Sequence, residues 1–123
     1  MGVGLRGTRR GEQISDPVID PVVDPWLAGN PKCPPALATP EVDVILVTHA
    51  HFAHTADVVP IAQRTGAPVV GKYETIMHFG AQGLENLVGF NTGGTAEVQG
   101  IRFTMTQAIH SGSISTADGI AGY

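Results

Sequence analysis

Three of the chain's five histidines fall within six positions, in His49-Ala50-His51-Phe52-Ala53-His54. Imidazole is a common metal ligand and titrates near neutral pH. On extended backbone, residues two apart point to the same side, so His49 and His51 can reach one ion together. His54 lies past the turn and approaches from another direction. His110 follows a second strand, and adjacent strands would bring it alongside. Three imidazoles with an open fourth position describe a catalytic zinc site, whereas four would close a tetrahedron and favour binding alone. Imidazole also suits nickel, iron and copper, so the ligands do not fix the ion. The competing reading is a set of exposed loop histidines or a weak adventitious site.

Other polar residues have plainer explanations. Asp57 stands at a helix start, where capping explains it better than a role as a base, although it is close enough in sequence to support the site. Glu74 could partner an imidazole, and first-turn helix placement explains it equally well. Asp43 reads as a strand-edge residue, His78 as a packing or surface residue, and Trp26 as core. Gly93-Gly94 is a turn rather than a phosphate loop. Cys33 is the single cysteine, so no intramolecular disulfide is possible.

The elements around the histidines are legible. Val42-Asp43-Val44-Ile45-Leu46-Val47-Thr48 is β-branched and nearly continuous in apolar character, the pattern of a strand buried on both faces. It ends at the histidines, and in open α/β sheets sites form at the C-terminal ends of strands. A helix is expected next, started by Thr55 or Asp57, with Val58, Val59, Ile61 and Ala62 as its apolar face and Gly66 as its stop. Pro68 to Gly71 reads as a short strand and Tyr73 to Ala81 as a second helix. Leu87-Val88 follows. Thr95–Val98 and Ile101–Thr106 then form a β-hairpin around Gln99-Gly100, with strict alternation in its second strand. Upstream, three Asp-Pro pairs recur between Asp16 and Pro25. Proline cannot donate to a sheet ladder, so only edge or short strands fit there. The Pro-rich stretch from Pro31 to Pro40 reads as a surface loop. Residues 1–15 read as a flexible N-terminal arm.

Composition sets outer bounds. With 42% hydrophobic and 15% charged residues, the chain can bury a core and is too apolar to be disordered. The net charge of −4 disfavours nucleic acid and anionic membranes as partners, while a small phosphorylated substrate stays compatible with a bound cation. No segment approaches the roughly 20 apolar residues of a membrane span, and no apolar stretch follows the N-terminal arginines. A cytoplasmic location is expected.

The segment Leu46-Val47-Thr48-His49-Ala50-His51-Phe52-Ala53-His54 resembles the T-H-x-H-x-D-H signature of the metallo-β-lactamase superfamily. The flanks are similar to a subfamily of metal-dependent hydrolases related to the ascorbate-phosphate lactonase UlaG. They include Asp24-Pro25-Trp26-Leu27-Ala28-Gly29-Asn30-Pro31, Ala62-Gln63-Arg64-Thr65-Gly66-Ala67, Tyr73-Glu74, Asn91-Thr92-Gly93-Gly94-Thr95 and Ala108-Ile109-His110-Ser111-Gly112-Ser113. The resemblance spans roughly residues 18 to 118. Ala53 occupies the signature's aspartate position, and Phe52 replaces a residue that is usually small.

The resemblance implies an α/β (α+β) fold over residues 16–123: the first half of an αββα sandwich, with a mixed sheet, two helices and a β-hairpin. It implies that His49, His51 and His110 hold a first metal, zinc by expectation. His54 would help hold a second, and Ser111 and Ser113 would line the site. The implied reaction is attack of a metal-bound hydroxide on an ester, lactone or phosphoester of a small molecule. The alternative is a metal-binding but catalytically impaired fragment or pseudoenzyme. Half of a two-sheet fold would expose one sheet face, so a homo-oligomer that covers it is expected.

Overall fold

The computed structural model describes residues 5–6 and 18–121. Four short strands form its central sheet: β3 (Pro21–Val23), β4 (Val44–Val47), β5 (Val69–Lys72) and β6 (Leu87–Phe90). They lie side by side in that order, and every pair is parallel. Before them, β1 (Leu5–Arg6) pairs antiparallel with β2 (Val18–Ile19). Leu5–Arg6 is the one part of the expected flexible arm among the described residues, and it is in a strand. The rest of that expectation lies outside them. The Asp-Pro segment behaves as proline requires, since Pro21 opens a strand on the edge of the sheet.

The continuous apolar run of β4 is explained by burial on both faces. Ile45 and Val47 join Val22, Val58, Ile61, Val69, Ile76 and Phe79 in one core cluster. Val44 joins Ile19, Val70 and Val98 in a second, flanked by Leu46, Phe90 and Phe103. Two helices supply the first cluster: α2 (Val58–Thr65) and α3 (Tyr73–Ala81), preceded by a single turn, α1 (Phe52–Thr55). The helix expected after the histidines is α2, with Asp57 before it and Gly66 after it, and the short α1 is an extra turn ahead of it. Gly66 ends α2 in the left-handed region, φ 72°, where its N–H bonds the Ala62 carbonyl.

The second cluster is covered by the antiparallel hairpin of β7 (Thr95–Val98) and β8 (Ile101–Thr104). Its two-residue turn has positive φ at both Gln99 (53°) and Gly100 (80°), the geometry that matches strand twist in tight hairpins. Parallel and antiparallel strands are thus both present, as the sequence suggests, but in separate sheets. A last small hairpin pairs β9 (Ile114–Thr116) with β10 (Gly119–Ala121). Helices, parallel sheet and hairpin make three layers, and the C-terminal ends of β3, β4 and β5 share one edge.

Candidate metal centre

That edge carries the polar residues. Asp24 follows β3, Thr48 and His49 follow β4, and Lys72 ends β5. Asp24 takes a positive φ of 50°, a conformation that Asp tolerates better than most residues. The turn carries its carboxylate over the end of β4. One oxygen accepts the Thr48 backbone N–H at 2.7 Å. The other accepts the Thr48 hydroxyl at 2.6 Å and the Nδ1–H of His54 at 3.1 Å.

These bonds fix the state of His49. The Thr48 hydroxyl spends its only proton on Asp24, so at 2.9 Å from His49 Nδ1 it can only accept. His49 therefore donates from Nδ1, and its Nε2 carries the lone pair. That Nε2 is buried and has no hydrogen-bond partner among the described residues. An orphaned acceptor in a folded interior is costly. Here it faces three other imidazoles, with ring centroids 4.8 Å away for His51, 4.0 Å for His54 and 4.5 Å for His110.

His110 is oriented in the same way. Its Nδ1 contacts the Ser111 carbonyl, which can only accept, and Nε2 is left free. Ser111 Oγ lies 3.5 Å from His51 Nε2. His51 and His110 themselves sit with ring centroids 5.0 Å apart. Among the described residues, two groups could hold an ion with ligand atoms mutually within 4.8 Å: His49, His51 and His110, and Asp24, His49 and His54. Both need His49 Nε2, since its Nδ1 is committed to Thr48. A lone pair serves one ion, so the two groups compete. In the second group Asp24 already accepts three hydrogen bonds, whereas the first offers imidazole nitrogens around an orphaned acceptor. The first group is the better fit for a cation.

Electrostatics favour the ligand form of His49. Burial lowers its pKa below the usual 6.5, and positive charge on His54 and His110 lowers it further. Asp24 pulls the other way, and His51 adds a smaller push downward. The neutral imidazole, the form that binds metal, is therefore favoured.

The remaining candidates are distributed unevenly. His54 is drawn to Asp24 rather than grouped with His51 and His110. Ser113 lines a cavity of about 460 Å³ with His51, Phe52, His78 and Phe79. Glu74 is exposed in the first turn of α3 and lines none of the cavities found at the site. Asp57 needs correction. It precedes α2 but makes no side-chain cap; its carboxylate instead accepts the backbone N–H groups of Leu27 and Ala28. It ties the loop after β3 to the start of α2. Asp24 and Thr48 escaped the sequence reading as functional residues. The signal was there, since an Asp-Pro pair ends a strand beside the histidine strand, but only the sheet order reveals that the two ends touch.

Comparison with known proteins agrees with this geometry. The family model described as the beta-lactamase superfamily domain matches residues 16–123. The chain belongs to the metallo-β-lactamase superfamily. A metal-dependent hydrolase of Rubrobacter xylanophilus is 47% identical over 99 residues, covering 80% of this chain and 41% of that protein. A metal-dependent hydrolase of Methanopyrus kandleri is 44% identical over 89 residues, covering 72% of this chain and 39% of its own length. Among solved structures, a metallo hydrolase from the hyperthermophilic archaeon Ignicoccus hospitalis matches with a TM-score of 0.66 and 30% identity, over 76% of this chain and 43% of that one. This member of the superfamily thus spans about two fifths of the length of the relatives it matches, and its fold is metallo-β-lactamase-like.

Proposed function

We propose that the chain binds one metal ion, zinc, through His49, His51 and His110, and that the site serves hydrolysis of an ester, lactone or phosphoester of a small molecule. The buried, unpartnered Nε2 of His49 among converging imidazoles carries this reading. The names of the relatives, all metal-dependent hydrolases, support it. When bound, zinc acts as a Lewis acid and lowers the pKa of a coordinated water to about 7. The chain's own residues do the rest. Thr48 and Asp24 hold His49 in the tautomer that exposes Nε2. The Ser111 carbonyl does the same for His110. Asp24 also keeps His54 beside the cluster.

Metal analysis of the purified chain, with and without His51→Ala, tests the reading together with hydrolysis assays on ester, lactone and phosphodiester substrates. One ion per chain, lost with His51→Ala, and turnover abolished by a chelator are expected. Turnover indifferent to both would sink it. A second reading, metal binding with impaired catalysis, is favoured by Ala53, which brings no carboxylate to the start of α1. A chain that holds its ion and turns over none of the three substrate classes would decide for that reading.

A further inference from the structure

Beside the imidazoles lies a second cavity of about 320 Å³, lined by Thr48, His49, Lys72, Thr75, Thr92 and His110 among others. Among the described residues Lys72 is its one Lys or Arg, and no Asp or Glu lines it. This is an unusual neighbourhood in a chain of net charge −4. The position follows from the sheet. Val47 pairs with Gly71, so Thr48 and Lys72 leave the parallel strands together at the same edge. The pairing is tight, because a Cβ at Gly71 would sit 2.9 Å from the Val47 carbonyl oxygen. Lys72 is half-buried, and no carboxylate among the described residues lies within ion-pair distance of it. An ammonium with no carboxylate partner among the described residues is a donor open to an anion.

We propose that Lys72 binds an oxyanion, phosphate or carboxylate, carried by the substrate next to the scissile bond. His49 and His110 line the same cavity, so a group held by Lys72 stays within one small molecule's length of the metal ligands. The exposed hydroxyl of Thr106, which lines the same cavity, offers a further donor, while that of Thr92 is directed to the Met105 sulfur. Only the description of the anion as a substrate group rests on the hydrolytic reading; the anion site itself does not.

The test is calorimetric titration of the chain with inorganic phosphate and, separately, with acetate, at low ionic strength. Metal-loaded and metal-stripped protein are compared for wild type, Lys72→Ala and Lys72→Arg. The stripped protein isolates Lys72 from any anion binding by the ion itself. Saturable binding is expected in both forms, weakened about tenfold by Lys72→Ala, the size expected for a charge-assisted hydrogen bond, and retained by Lys72→Arg. A preference for phosphate over acetate, or the reverse, names the oxyanion. Lys72→Ala protein that stays folded by circular dichroism and binds both anions as wild type does overturns the proposal. Wild-type protein without metal would sink the hydrolytic reading and leave the stripped-protein titration to decide on Lys72.

Discussion

The Asp24 carboxylate accepts the Thr48 hydroxyl at 2.6 Å, and that single contact decides which nitrogen of His49 is bare. A hydroxyl has one proton. Once that proton is donated to Asp24, the neighbouring His49 Nδ1 must donate, and Nε2 is left as an acceptor with no partner among the described residues. Residues 24 positions apart thus set the chemistry of a third side chain that Asp24 does not hydrogen-bond. Outer partners of this kind raise ligand basicity and fix ring orientation.

Replacing Thr48 with valine keeps the shape and removes the hydroxyl. The backbone bond from Thr48 N–H to Asp24 stays, so the loop survives at a cost of about 1 kcal/mol. Metal affinity is expected to fall roughly 10-fold or more, the usual loss when such a partner is removed. Thr48→Ser should restore it. Competition with a chromophoric chelator measures both. Valine protein that binds metal as tightly as wild type would show that the relay has no hold on His49.

Asp24 and Asp57 offer a paired comparison. Each carboxylate accepts backbone N–H groups from a distant segment, Thr48 for the first and Leu27 with Ala28 for the second. Either change to alanine leaves amide donors without their acceptor and should lower stability by about 1–3 kcal/mol in urea denaturation. Only Asp24→Ala should also weaken metal binding, because only Asp24 touches Thr48 and His54. Equal metal affinity in the two variants would make Asp24 a loop staple and nothing more.

How much of this was legible in the sequence depends on distance along the chain. The apolar run into His49 announced a strand buried on both faces, and Ile45 and Val44 do face opposite clusters. Tyr73–Ala81 was readable as a helix from its own pattern. The turn α1 ahead of α2 was not, although Pro60, which has no N–H to give the Ala56 carbonyl, keeps the two from joining. The role of Leu87–Phe90 as the fourth parallel strand was hidden too, since four residues carry little periodicity. At the site, the histidines stood out by type and spacing. Asp24, Thr48 and Lys72 did not, because each is an ordinary residue at the end of its own strand. They become a site only when strand order sets β3, β4 and β5 edge to edge.

The depressed pKa of His49 makes the stability of the metal-stripped protein depend on pH, with a definite sign. Burial is the largest cause, followed by positive charge on His54 and His110, against the pull of Asp24. In the unfolded chain His49 protonates near 6.5. Below that value the unfolded state binds a proton that the folded state still refuses. Stability therefore rises with pH through this window, and it falls on acidification from about 6.5 until the folded value is passed. The urea midpoint of stripped protein should drop across that range, and His49→Gln, which cannot titrate, should flatten the drop. Zinc acts in the same direction, because it needs the neutral ring and competes with the proton. The stability gained by adding zinc should shrink over the same pH range. A midpoint that holds steady or climbs on acidification in the wild-type chain, or a slope that His49→Gln leaves unchanged, would remove His49 as the titrating group.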